Sequence, residues 1–201
     1  MPTFLHIGCG PTTKAETTRG FNTPAWDEVR LDIDPDVAPD IVASMTDMAA
    51  VPDGSMDALF SSHNLEHLYP AEVMLALPEF ARVLKPDGFA VITCPDLQSV
   101  AARVAEGKLL EPAYDSPAGP ISPIDIIYGH RPSMAKGNYY MAHRTGFTRD
   151  VLAQLLRECG FGAAIVRQRP AFFDLWAVAT PAAVDTDRLR ALVAQHFPIE
   201  T

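Results

Sequence analysis

Thr3-Phe4-Leu5-His6-Ile7-Gly8-Cys9-Gly10 begins as a short apolar run and passes directly into two glycines one residue apart. Glycine lets a backbone turn sharply and lets a ligand approach where a Cβ would block it. A strand ending in Gly8-Cys9-Gly10 is therefore either a plain tight turn or the floor of a binding site, and the next strand bears on the choice. That second strand, Glu28 to Ile33, ends in the acidic cluster Leu31-Asp32-Ile33-Asp34. Open α/β sheets bind ligands at the carboxyl edge, where a carboxylate can accept hydrogen bonds from both hydroxyls of a ribose. Asp32 and Asp34 both fit that role. Asp32 is preferred, because Asp34 begins the turn Asp34-Pro35-Asp36.

Working outward, short β-rich runs alternate with longer stretches of helical period, the pattern of βαβ units and a mainly parallel sheet. Further strands are read at Asp40 to Ala43, Asp57 to Ser61 and Phe89 to Thr93. Between the last two, Ala71 to Leu84 repeats Val73, Leu77, Phe80, Ala81 and Leu84 at helical spacing and stops at Lys85-Pro86-Asp87-Gly88. A short helix is read around Leu97 to Glu106. Thr148 caps a helix that ends at Gly160. Ala163 to Arg169 and Phe173 to Thr180 are joined too closely for a crossover, so they pair antiparallel. The expected fold is a Rossmann-like α/β domain with a seven-stranded, mostly parallel sheet, an antiparallel last strand and helices on both faces. It covers residues 1–201 as one domain, with an insertion at about 96–147.

Composition narrows the function classes. A net charge of -9 with scattered Lys and Arg opposes nucleic-acid and anionic-membrane partners. No run reaches membrane-spanning length, and the first residues lack a signal-peptide pattern. Three cysteines without CxxC spacing fit a reducing cytoplasm. The terminal helix, Asp185 to Phe197, packs on the outside of the domain or on a partner, which makes it the candidate oligomer contact.

Four segments, Phe4 to Gly10, Leu31-Asp32-Ile33, Ser61-Ser62-His63-Asn64-Leu65-Glu66-His67-Leu68 and Arg82 to Gly88, resemble in order and spacing the class I S-adenosylmethionine-dependent methyltransferases, particularly their small bacterial methyltransferase-11-like branch. The resemblance implies S-adenosyl-L-methionine as cofactor, bound by Gly8, Cys9, Gly10, Asp32, Ile33, Met45, Thr46, Ser62 and His63, and methyl transfer to O or N of a small molecule. Two departures stand out. His6 occupies a position that is usually acidic, and Thr12 one that is usually glycine. The stretch from Pro11 to Asp27 also leaves little room for the family's first helix. Ser44 stands where the family often has an acid, so an amide contact near Met45, or Asp47, must substitute; Asp47 serves equally as a cap.

His63 titrates in the range of a general base, and also fits a loop histidine bonded to a carbonyl. His63 and His67 stand four apart, yet the family has Leu-Glu-His without metal, so no metal is expected. Glu66 either touches the cofactor's amino group or begins a helix. In the insertion, Tyr128-Gly129-His130-Arg131 and Asn138 to Phe147 concentrate Tyr, His and Arg in a glycine-punctuated loop, the make-up of a substrate lid or of a surface loop. His143 and Tyr140 are the acceptor-site candidates, with Arg131 or Arg144 available for a substrate carboxylate or phosphate. Two other readings stay open: an S-adenosylmethionine-using enzyme of another reaction type, and a non-catalytic module.

Overall fold

The computed structural model describes residues 1–198, so the last three residues of the expected domain lie outside it. Seven strands form one sheet: β1 (Thr3–Ile7), β2 (Asp27–Asp32), β3 (Ile41–Val42), β4 (Met56–Ser62), β5 (Leu84–Pro95), β8 (Ala163–Arg169) and β9 (Asp174–Thr180). They lie side by side as β3-β2-β1-β4-β5-β9-β8. β1 to β5 pair in parallel, and β9 alone is reversed, antiparallel to both β5 and β8. The seven-stranded, mostly parallel sheet with an antiparallel last strand is thus the architecture expected from the sequence.

β5 is longer than its apolar run. It begins at Leu84 and takes in Lys85 to Gly88, the residues expected to form a turn. Pairing with β4 slips between Met56 and Ala58, so the four residues Lys85 to Gly88 stand opposite Asp57 alone and bulge out before Phe89 resumes the ladder.

Strand alternation divides the core in two. On one face Leu5, Ile7, Leu59, Ala90, Ile92, Leu175 and Ala177 are buried against α1 (Pro70–Val83) and α5 (Arg149–Glu158), through Val73, Leu77, Phe80, Leu152 and Leu156. On the other, Phe4, Ala58, Phe60, Phe89, Val91 and Val178 meet Phe21 and α6 (Thr186–His196). Here no α-helix joins β1 to β2. The stretch from Pro11 to Trp26 holds a single 3-10 turn, Lys14–Glu16, and covers the sheet with aromatic rings instead. Phe21 stacks on Phe4 at 4.3 Å and on Phe89 at 5.9 Å, with Trp26 edge-on at 5.2 Å. Such aromatic pairs add to the area they bury, and this packing replaces the missing helix.

α6 seals that cover. Leu189, Val193 and Phe197 are buried within the chain, so this helix packs on the outside of the domain, the first of its two expected placements. His196 lies at 1% exposure, with Nδ1 2.7 Å from Thr18 Oγ1 and Nε2 without a partner among the described residues. Arg19 reaches back to the Ala194 and Gln195 carbonyls. Burial, with Arg19 beside it, pushes the His196 pKa down to about 4. The unfolded chain therefore takes up this proton first. The contribution of His196 to stability is full above pH 6.5 and is lost as pH falls toward 4, amounting to about 3 kcal/mol. Urea unfolding between pH 7 and 4.5 should show His196→Gln losing less stability than the parent by most of that amount; equal losses would contradict the assignment.

Between α2 (Leu97–Ala105) and α5 the chain makes a hairpin of β6 (Tyr114–Ser116) and β7 (Gly119–Ile121), then α3 (Pro123–Tyr128) and α4 (Arg131–Met134). This segment contributes residues to the cavity beyond β4 and β5. Among the described residues no helix is long and apolar enough to cross a membrane.

Candidate functional site

The glycine turn sits where β1 ends, and β2 holds it. Gly8 and Cys9 donate their N–H groups to Leu31 O at 2.8 and 3.3 Å, and Gly10 N–H donates to Asp32 Oδ2 at 2.7 Å. Asp34 N–H donates to the other carboxylate oxygen at 2.9 Å. The Arg30 guanidinium donates to the Gly10, Thr12, Val37 and Ala38 carbonyls. The two glycines serve different needs. Gly8, at φ +60°, faces Asn64, whose Oδ1 would lie 2.2 Å from an added Cβ; Asn64 in turn donates to Ile7 O. Gly10, at φ +52°, has no atom within 4 Å of that point, so the backbone there lies open.

His6, at the usually acidic position, is buried with Nδ1 2.7 Å from Glu28 Oε1. Burial lowers its pKa despite that carboxylate. Glu28 also accepts from Lys14 N–H, so the pair closes the loop after the glycines. Along the same edge Ile33 is half exposed, and Met45 and Thr46 are partly buried in a turn where Thr46 Oγ1 meets Ser44 Oγ at 2.7 Å. Ser62 ends β4 with its hydroxyl 2.8 Å from that of Thr93.

His63 comes next, with φ +55°, a left-handed backbone that costs a non-glycine residue energy and recurs at functional positions. Its N–H donates to Thr93 O, and its exposed ring lies 3.3 Å from Glu66 and 3.9 Å from Asp174. Partial desolvation lowers the His63 pKa, but Glu66 and Asp174 outweigh it and hold it above the usual value. Asp174 is itself fixed by two Arg169 donors and by Trp176 Nε1.

Past His63 the chain makes a 3-10 turn, Leu65–His67, in place of the start of a helix. The i,i+4 helical geometry that would pair His63 with His67 is therefore absent. Instead Glu66 O accepts the N–H groups of Arg144 and Thr145 at 2.8 and 3.2 Å, which docks the distal loop and brings His143 against His67, ring centroids 4.9 Å apart. Burial lowers the His143 pKa. These groups line a cavity of about 150 Å³ with Tyr114, Asp125, His130 and Phe173.

Two expectations for the insertion need correcting. Tyr140, on a surface 3-10 turn at 60% exposure, is outside that cavity; Tyr114, which sequence reasoning passed over, lines it. The arginines are also engaged. Arg131 forms a two-pronged ion pair with Asp125, holding that carboxyl well below the usual range despite desolvation. Arg144 stacks over Tyr69 at 4.8 Å and donates to His67 O.

Residues 5–92, somewhat under half of the chain, match the family model described as a methyltransferase domain. The fold is that of the class I S-adenosylmethionine-dependent methyltransferases. Similar solved structures include the PH0226 protein of Pyrococcus horikoshii, at TM-score 0.61 and 14% identity over 89% of this chain and 81% of that one. The 1,6-didemethyltoxoflavin-N1-methyltransferase of Burkholderia thailandensis, solved with 1,6-didemethyltoxoflavin and S-adenosylhomocysteine bound, gives 0.56 and 16% over 90% and 72%. A SAM-dependent methyltransferase of Methanosarcina mazei gives 0.54 and 16% over 90% and 92%. No curated protein matches in sequence.

The distal loop of this methyltransferase fold depends on one glycine. A Cβ on Gly129, at φ +100°, would lie 1.9 Å from Met141 O. Gly129→Ala should release residues 128–143 to limited proteolysis while the far-UV spectrum of the sheet and helices persists; unchanged protease resistance would contradict this.

Proposed function

We propose that this chain binds S-adenosyl-L-methionine across the glycine turn and methylates O or N of a small molecule held in the cavity beside His63. The observation that carries the reading is the pairing of open backbone at Gly10 with the Asp32 carboxylate at the end of β2. Each carboxylate oxygen already receives one backbone N–H and keeps further lone pairs, so Asp32 can also accept both ribose hydroxyls. The apolar side chains of Ile33 and Met45 offer surface for an adenine, with Thr46 beside them. Cys9 is buried and contributes through its backbone. When bound, the cofactor supplies a methyl group on a sulfonium, a good leaving group.

The protein's part is then largely alignment, and a base is needed only where the acceptor carries a proton. In this reading His63, the residue after β4, takes that proton, supported by the two carboxylates at 3.3 and 3.9 Å that would stabilise the imidazolium formed. His143 and Tyr114 shape the acceptor side, and the segment 96–147 acts as the lid. With a cavity of this size and a net charge of -9, the substrate is a small molecule rather than a nucleic acid.

S-adenosylhomocysteine should raise the melting temperature of the parent protein. Asp32→Asn, which keeps the shape but removes a charge, should weaken that binding by about tenfold or more, a loss of about 1.4 kcal/mol. No shift with millimolar cofactor, or the same affinity in Asp32→Asn, would refute the site.

A further inference from the structure

The groups at the cavity floor include a carboxylate with no hydrogen bond. Glu66 is 1% exposed, and among the described residues neither Oε1 nor Oε2 has a hydrogen-bond partner. The nearest charge is the exposed His63 ring, 3.3 Å from Oε1 without hydrogen-bond geometry. A buried carboxylate left so is costly unless a cation meets it.

Each of the two histidines beside it has one ring nitrogen held by a main-chain carbonyl. His67 Nδ1 lies 3.1 Å from Ala142 O and His143 Nδ1 2.7 Å from Ile126 O. A carbonyl only accepts, so each Nδ1 carries the proton and donates it, leaving Nε2 with its lone pair in the neutral ring. A main-chain carbonyl on one ring nitrogen is the usual arrangement behind a metal-bound histidine, fixing tautomer and ring direction. One donor atom from each of Glu66, His67 and His143 lies within 4.8 Å of the others. Small side-chain rotations bring such donors to about 2.0–2.2 Å from a common ion.

We propose that Glu66, His67 and His143 form a binding site for one divalent transition-metal ion, Zn2+ being the ion that suits two imidazoles and a carboxylate. This set leaves a coordination position open, as in zinc sites that bind a water or a substrate atom. That position has the cavity beside it, where Tyr114, Asp125 and His130 also stand. The ion would neutralise the orphan carboxylate and hold an acceptor oxygen or nitrogen near His63. This last consequence rests on the methyltransferase reading; the site itself does not.

The sequence concealed the set, because His143 is 76 residues from His67 and the HxxxH spacing, from which no metal is expected, does not include it. What joins them is the docking of Arg144 and Thr145 onto Glu66 O.

The test is zinc content and affinity of the full-length, tag-free protein, without cofactor. The expected result is one Zn2+ per chain by elemental analysis after dialysis, with His67→Ala and His143→Ala binding at least about 100-fold more weakly. Glu66→Gln preserves shape and hydrogen-bonding capacity, so it tests the site should either alanine variant fail to fold; it should also lose the ion. Co2+ in place of Zn2+ should give a visible spectrum without thiolate charge transfer, separating this site from the three buried cysteines. A parent protein that holds no zinc, a thiolate band, or zinc retained at parental affinity in the folded variants would each overturn the proposal. S-adenosylhomocysteine binding, measured separately, tells its failure apart from failure of the methyltransferase reading.

Discussion

The last three residues of β2 hold the glycine turn in place, and the candidate site is arranged around that hold. Leu31 O takes two amides of the turn, Asp32 takes a third, and Arg30 gathers the carbonyls of Gly10 and Thr12. In many sheets of this kind a helix running back from the turn would fix its geometry. Here that helix is absent, and β2 performs the task through the Leu31 carbonyl and the side chains of Arg30 and Asp32. The same substitution accounts for the aromatic packing of Phe21 and Trp26 and for the closure by α6, since the sheet face left bare must still be covered.

The second organising contact is the Glu66 carbonyl. By accepting two amides from the distal loop it joins the edge of β4 to residues more than seventy positions later. The cavity, the His67–His143 pair and the burial of the Glu66 carboxylate all depend on that junction. Gly129 allows it, because its missing Cβ lets α3 approach the Met141–Ala142 backbone.

Much of the fold was legible because it rests on local signals. Alternating apolar runs gave the strands, the period of Val73, Leu77 and Phe80 gave α1, and the short link at Pro170 gave the reversed last strand. The placement of the glycine turn beside Asp32 was legible for the same reason: Gly8, Gly10 and Asp32 sit at strand ends, where position is set by the strand pattern. The cavity was not. The burial of Glu66, the entry of Tyr114 and the commitment of Arg131 to Asp125 depend on how a loop folds back, which no period encodes. Asp174, an acid inside the apolar run Phe173-Asp174-Leu175-Trp176, was a signal that could have been taken up. A charge in a buried strand requires a partner, and Arg169 supplies it while His63 stands nearby. The strand of Lys85 to Gly88 was misread because a bulge and a turn share the same residue types.

We propose open backbone at Gly10 and the Asp32 carboxylate as a nucleoside-binding edge leading to His63. A crystal structure of the protein grown with S-adenosylhomocysteine tests it most directly. The expected result is ribose hydroxyls on Asp32, the ligand backbone passing over Gly10, and the sulfur directed toward the His63 cavity. Ligand density elsewhere on the chain, or a nucleoside that leaves Asp32 untouched, would contradict it.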